Sequence, residues 1–118
     1  MEQILVIIND APYGSEKVYN ALRIVNQLNK DFPEIEISVF LLADGVNCAI
    51  AQQNTPNGYY NIERMLKLAL MKGSKLLICG SCLEARGLKG IPLIEKAEIS
   101  SMEVLANKIV VSKQVLTF

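Results

Sequence analysis

The sequence predicts an α/β protein in which helices cover both faces of a mainly parallel sheet of about five strands, a three-layer sandwich of flavodoxin-like shape. Apolar runs such as residues 4–8 and 76–78 are bounded by polar or turn residues, a pattern typical of strands buried on both faces. Segments with helical spacing alternate with these runs. The 118 residues contain no linker, repeat or low-complexity segment, which predicts a single domain over residues 1–118.

The first half of the chain predicts a strand, a helix and a second strand. The strand covers residues 3–9, and a loop rich in turn residues follows it. Ser15 is placed to cap a helix that ends near Asp31. The second strand covers residues 35–43, and because polar residues alternate with apolar ones along it, we place it nearer an edge of the sheet.

The second half continues the alternation. Its predicted elements are a short helix (46–52), a surface loop (53–60), a helix capped by Asn61, a strand ending at Cys79, a short strand (98–99), a final helix and a C-terminal strand (114–118). Ser100 and Glu103 match a capping box at the start of the final helix. Apolar residues at helical spacing, from Met102 to Val110, predict the inner face of that helix.

A cysteine stands where the third long strand ends and a helix begins. Residues 75–90 read KLLICGSCLEARGLKG, in which an apolar run leads to Cys79 and then to Gly80, Ser81 and Cys82. Backbone N–H groups at a helix start favour the thiolate, which is the reactive form of cysteine. The pattern therefore predicts a reactive thiol at Cys79.

Parallel strands gather the loops that follow them at one edge of the sheet. We therefore expect the loops after the first three long strands to line one crevice around Cys79. The candidates for this crevice are Asn9, Tyr13, Gly14, Gly45, Gly80, Ser81 and Arg86. The first-loop residues are equally consistent with turn chemistry, and Arg86 is consistent with either a charge that favours the thiolate or an ordinary salt bridge.

The other two cysteines leave alternatives open. Cys82 forms a C-x-x-C pattern with Cys79, a spacing that can close a redox disulfide, so Cys82 is either a resolving thiol or an incidental helix residue. Cys48 carries no motif and is interpreted as structural. Three cysteines without histidine lack the usual four ligands of structural zinc, and we expect no metal. With no nucleotide-binding glycine motif, we expect no cofactor.

Composition limits the partners. Lysine plus arginine and aspartate plus glutamate both total 12, and a net charge of zero argues against direct nucleic-acid binding. No apolar run approaches the ~18 residues that span a bilayer, and no signal-peptide pattern is present. Free thiols then favour the cytoplasm. Hydrophobic residues make up 51% of this small chain, which predicts contacts between subunits.

Six segments in one order carry a resemblance to a known family. They are INDAPYGSEKVYNALRI, FLLADGV, GYYNIERMLKLA, LICGSCLEARGL, IPLIEKAEISSMEVLA and the ending VLTF. The chain resembles the DsrE/DsrF-like sulfur-relay family over nearly its whole length, and within it the YchN-like branch, which is related to TusD. A second cysteine at position 82 resembles the YchN-like branch, whereas TusD-like members lack a cysteine at this position.

The resemblance implies a function and an assembly. It implies a DsrE-like fold and a sulfur carrier, similar to sulfurtransferases, that holds a sulfane sulfur as a persulfide on Cys79. It also implies a homotrimer or homohexamer with the cysteine near a subunit boundary, and unnamed proteins as sulfur donor and acceptor. Two other functions stay open: a thiol–disulfide redox protein that uses Cys79 and Cys82, and a non-catalytic oligomeric binding module. Whether the chain acts as an enzyme is left open with them.

Overall fold

The structure is a computed structural model, and it describes residues 2–118. Within these residues, five strands form one sheet in the order β4-β3-β2-β1-β5, with every neighbouring pair parallel. The strands are β1 (Gln3–Ile8), β2 (Glu36–Leu41), β3 (Lys75–Cys79), β4 (Glu98–Ser100) and β5 (Gln114–Thr117). The predicted parallel α/β sheet is confirmed.

Helices connect the strands. They are α1 (Lys17–Asp31), α2 (Ile62–Met71), α3 (Gly80–Ala85) and α4 (Met102–Val111), and a 3₁₀ segment (Ala43–Ala49) follows β2. The Asn61 side chain caps α2, as predicted, by accepting the Arg64 N–H at 3.0 Å. The short helix predicted over 46–52 is this 3₁₀ segment, which begins three residues earlier.

The helices lie on both faces of the sheet. Leu77 of β3 lies on the same face as Val104 and Lys108 of α4. Leu76 points to the opposite face, where it lies near Leu70 of α2, and α1 packs against α2. The chain steps from β1 to β4 in one direction and then returns across the sheet through α4 to β5. The arrangement is therefore three-layered.

The prediction that the second strand lies nearer an edge is wrong, because β2 is the middle strand. Its polar residues are paired. The buried hydroxyl of Ser38 accepts a hydrogen bond from Lys108 Nζ at 3.2 Å, and Glu36 forms an ion pair with Lys75 at 3.3 Å. The alternation that suggested an edge position reflects these partners.

Both predicted serine caps are displaced by one residue. Glu16 rather than Ser15 precedes α1, although the Ser15 hydroxyl still accepts the Lys17 N–H at 3.3 Å. Ser101 rather than Ser100 caps α4, where it accepts the Val104 N–H at 3.4 Å. Ser100 belongs to β4 instead, which places it beside Cys79 of β3.

The predicted inner face of the last helix is wrong in extent. Leu105 is the buried residue of α4, whereas Met102 is largely exposed and Val110 is 83% exposed. One row of the helix covers the sheet, and an apolar row is left facing outward.

Candidate functional site

β3 carries Cys79 to the rim of the sheet. The strand is buried from Leu76 onward because it pairs with β2 on one side and β4 on the other. Cys79 is its last residue and the N-cap of α3, and the whole residue is only 3% exposed. Gly80 allows β4 to pass close by, since a Cβ there would lie 3.1 Å from Ile99 Cγ2.

Donors surround the Cys79 sulfur. Its Sγ accepts the backbone N–H of Cys82 at 3.4 Å and lies 3.3 Å from the Ser81 hydroxyl. Burial raises the pKa of Cys79, but hydrogen bonds from Cys82 and Ser81 together outweigh burial and leave the pKa below its ordinary value. Because α3 has only six residues, these individual donors account for the shift better than a helix dipole.

Cys82 is held on the other side of the same site. Its Sγ accepts the backbone N–H of Ala43 at 3.4 Å. Burial and the neighbouring Cys79 raise its pKa, while the Ala43 amide and Arg86 act in the opposite direction. The pair therefore shares its ionisation unequally, because Cys79 loses its proton more readily than Cys82.

The Ala43 amide is aimed by the backbone that follows β2. Ala43 has φ +50°, in the left-handed region that costs a non-glycine residue roughly 1–2 kcal/mol. Two contacts with the end of β1 hold this conformation. Leu42 N–H donates to Ile8 O at 2.9 Å, and Gly45 packs so closely that an added Cβ would lie 2.2 Å from Ile8 O. Gly45 is therefore a buried packing residue and does not line an open crevice.

Arg86 reaches the loop after β2 and not the Cys79 sulfur. Its Nε pairs with Asp44 Oδ1 at 2.9 Å, and its Nη1 donates to the Cys82 carbonyl at 3.1 Å. Its charge offsets a small part of the rise in the pKa of Cys82. Of the two interpretations of Arg86, the contacts fit the ordinary salt bridge. The side chain links α3 to the 3₁₀ segment.

The first-loop candidates lead away from the two thiols. Asn9 bonds to the Phe118 carbonyl at the end of β5. The Tyr13 hydroxyl accepts the Ile62 N–H at 3.1 Å and donates to Gln53 Oε1 at 2.7 Å, so it serves the start of α2. Gly14, with φ +110°, forms a turn. These contacts fit the turn-chemistry interpretation rather than a shared crevice.

Two features of this rim were missed from the sequence. The first is the Ala43 amide, a backbone donor that no side-chain pattern signals. The second is a cluster of all four tyrosines, in which Tyr60 stacks on Tyr19 at 4.5 Å and on Tyr59 at 4.6 Å between ring centroids. The adjacent Tyr59 and Tyr60 were visible, but their partners are 40 or more residues away in the chain.

Cys48 lies at the same end of the sheet in a different setting. It is fully buried in the 3₁₀ segment, and its thiol donates weakly to the Asp10 carbonyl at 3.8 Å. Burial first, and then the charge of Asp10, raise the pKa of Cys48 from 9.0 to about 12. It is neutral at physiological pH.

Within residues 2–118, the three cysteines form no disulfide, and no three His, Cys, Asp or Glu side chains are grouped so as to hold a metal ion. No helix in this described part of the chain is long and apolar enough to cross a membrane. An apolar pocket of about 400 Å³ adjoins Gly80 and Ser81 and is walled by residues of α3 and of the segment before β4.

Comparison with known proteins gives one consistent result. The model of the DsrE/DsrF-like family matches residues 2–118. The chain is 33% identical to protein YchN of Escherichia coli over the full length of both chains, and 42% identical to an uncharacterized protein of Methanocaldococcus jannaschii over 96% of each.

Solved structures agree with this result. The crystal structure of the Escherichia coli YchN protein superposes with a TM-score of 0.93 at 32% identity, covering all of both chains. A protein of unknown function from Methanobacterium thermoautotrophicum shares the fold, with a TM-score of 0.81 at 16% identity over both full chains. The chain therefore belongs to the DsrE/DsrF-like family, and that membership suggests a role of the sulfur-relay type.

Proposed function

We propose that this chain is a cytoplasmic sulfur carrier that holds a sulfane sulfur as a persulfide on Cys79. The observation that carries the proposal is the pair of donors on Cys79 Sγ, the Cys82 N–H at 3.4 Å and the Ser81 hydroxyl at 3.3 Å. They favour the thiolate in a site without histidine, and sulfur transfer needs no further base once a thiolate is present.

Loading is a sulfur transfer without net oxidation. The Cys79 thiolate attacks the outer sulfur of a donor persulfide, R–S–SH, and a new S–S bond forms as the donor S–S bond breaks. The donor leaves as a thiolate. In the next transfer, Cys79 is the leaving group, and its lowered pKa makes it a good one.

The burial of Cys79 restricts which partners can react. Only 3% of the residue is open to a donor, and the apolar pocket of about 400 Å³ lies beside the neighbouring Ser81. Once loaded, the outer sulfur extends about 2 Å beyond Sγ. A persulfide is thus more accessible to an acceptor than the empty thiol is to a donor.

The experiment is intact-mass measurement after exposure to glutathione persulfide, with free donor removed. Measured immediately after loading, wild type and Cys48→Ser should each carry one added sulfur atom that cyanide removes, whereas Cys79→Ser should carry none. Cys48→Ser is the matched control because it removes a thiol from the same end of the sheet. A sulfur adduct retained by Cys79→Ser would refute the assignment.

Thiol–disulfide exchange is the second candidate function, favoured by the hydrogen bond from the Cys82 N–H to Cys79 Sγ and by the effect of each thiol of the C-x-x-C pair on the pKa of the other. It predicts that a disulfide oxidant removes two hydrogen atoms from the wild-type chain. It also predicts that the reduced wild-type chain takes up no sulfur from glutathione persulfide. The mass experiment separates the two functions.

We also propose that the chain assembles as a homotrimer or homohexamer. The outward apolar row of α4 supports this, since Val110 is 83% exposed in the single chain. Light scattering across dilution should give a mass of three or six chains. Val110→Glu should reduce that mass, and Asn54→Glu, with the same charge in an exposed loop, should not. A wild-type monomer at micromolar concentration would refute the assembly.

A further inference from the structure

The C-x-x-C pair places a second sulfur next to the one that carries the persulfide. The backbone N–H of Cys82 bonds directly to Cys79 Sγ at 3.4 Å, and the two side chains are close enough for each to shift the pKa of the other. Cys48, by contrast, is buried against the Asp10 carbonyl. An internal reaction of a Cys79 persulfide would therefore involve Cys82.

Cys82 is also held as a nucleophile would be. Its Sγ accepts the Ala43 N–H at 3.4 Å, so a donor is already in place for negative charge that develops on this sulfur. Ala43 keeps a left-handed backbone, φ +50°, in delivering that amide. Strained backbone of this kind is concentrated at functional sites.

We propose that Cys82 discharges the Cys79 persulfide as hydrogen sulfide and closes a Cys79–Cys82 disulfide, an activity that rests on the persulfide function proposed above. The Cys82 thiolate attacks Cys79 Sγ, and the bond from Sγ to the outer sulfur breaks. The outer sulfur leaves as HS⁻ and takes up the proton that Cys82 lost. The sulfane sulfur is reduced to sulfide while the two cysteines are oxidised to the disulfide, so no outside oxidant is needed.

The site then gives its sulfur two fates, decided by which sulfur is attacked. An acceptor thiolate that attacks the outer sulfur receives it and releases Cys79 as a thiolate. Attack by Cys82 on Sγ releases sulfide instead and leaves the carrier oxidised. A dithiol reductant returns the disulfide to two thiols. An undelivered persulfide is thereby cleared at the site.

The test loads wild type, Cys82→Ser and Cys48→Ser with glutathione persulfide under anaerobic conditions and removes free donor. Persulfide mass, protein disulfide and released sulfide are then followed together. Wild type and Cys48→Ser should each release one sulfide per persulfide lost and end two hydrogen atoms lighter than the reduced chain. Cys82→Ser should lose its persulfide at least about tenfold more slowly, because it lacks the thiol that attacks within the same chain.

The intramolecular step has its own signature. The first-order rate constant of sulfide release should not change when the loaded protein is diluted, since the Cys82 thiol and the Cys79 persulfide belong to one chain. Loaded wild type that keeps its persulfide as long as Cys82→Ser, or that releases sulfide without the disulfide, overturns the inference while the carrier function stands. Failure of every variant to load overturns the carrier function itself. The wild-type disulfide readout needs no substituted chain.

Discussion

Cys48 and Cys79 are both buried thiols at the same end of one sheet, yet the pKa of Cys48 is raised and the pKa of Cys79 is lowered. The Cys48 thiol donates to a carbonyl, which cannot stabilise a thiolate, and burial raises the pKa of Cys48 to about 12. Around Cys79 the polar neighbours are donors, and they lower its pKa in spite of burial. Burial alone therefore does not make a thiol inert. At Cys79 the hydrogen bonds from Cys82 and Ser81 outweigh burial, and at Cys48 burial prevails.

The largest effect should be on stability at high pH. Because the pKa of Cys48 is raised to about 12 in the folded chain, the unfolded chain loses this proton first as pH rises past 9.0. The contribution of Cys48 to the free energy of unfolding should therefore fall by roughly 1.4 kcal/mol per pH unit above pH 9.0. Urea unfolding of wild type and Cys48→Ala from pH 8 to pH 10.5 should show the difference.

Cys79→Ala is the matched control for that measurement, because its sign is opposite. A thiol with a lowered folded pKa contributes stability that is present above the unfolded pKa and is lost as pH falls through the folded pKa. The difference between wild type and Cys79→Ala should thus grow as pH rises toward 9. Equal pH slopes for the two variants would contradict the comparison.

The next effect concerns alkylation rates in the folded chain. The raised pKa of Cys48 lowers its thiolate fraction at pH 7 about a thousandfold relative to an ordinary thiol, and the higher nucleophilicity of a basic thiolate returns part of this. Iodoacetamide with peptide mass mapping should show Cys79 reacting at least about thirtyfold faster than Cys48. Faster labelling of Cys48 would refute the assignment of environments.

A smaller effect tests the donors on Cys79. Cys82→Ala removes the side-chain thiol that helps to lower the pKa of Cys79 but keeps the backbone N–H, so the pKa of Cys79 should rise and its alkylation at pH 7 should slow by up to about tenfold. Cys82→Ser keeps a donor and should lie between this variant and wild type. The measurement is the alkylation rate of Cys79 as a function of pH. An unchanged pH profile in Cys82→Ala would refute the contribution of the Cys82 thiol to the lowered pKa of Cys79.

The smallest effect is expected for Arg86→Gln. The guanidinium pairs with Asp44 and influences Cys82 rather than Cys79, so Cys79 alkylation should change by less than about twofold. Thermal unfolding should shift by no more than an exposed ion pair contributes, under about 1 kcal/mol. A large loss of Cys79 reactivity would restore the interpretation in which Arg86 favours the Cys79 thiolate.

The parts of the molecule that could be predicted are those encoded by local pattern. The apolar runs gave the parallel sheet, and the strand end gave the position of Cys79. What escaped prediction depends on distant pairing. The second strand was placed nearer an edge because Lys108, the partner of its Ser38, lies 70 residues away, and the Ala43 amide is a donor only through its backbone angle. Tyr13 was assigned to the crevice because nothing local shows that it reaches Ile62.

Gly45 has a consequence for reading the effects of mutations. A side chain there would displace either the end of β1 or the segment that begins at Ala43, because its Cβ would lie 2.2 Å from Ile8 O. Moving that segment carries the Ala43 amide away from Cys82. In a library screened for sulfur transfer, position 45 would therefore score like a reactive residue although it bears no reactive group. Sites of chemistry and sites of support would be indistinguishable by activity alone, and thiol titration would be needed to tell them apart.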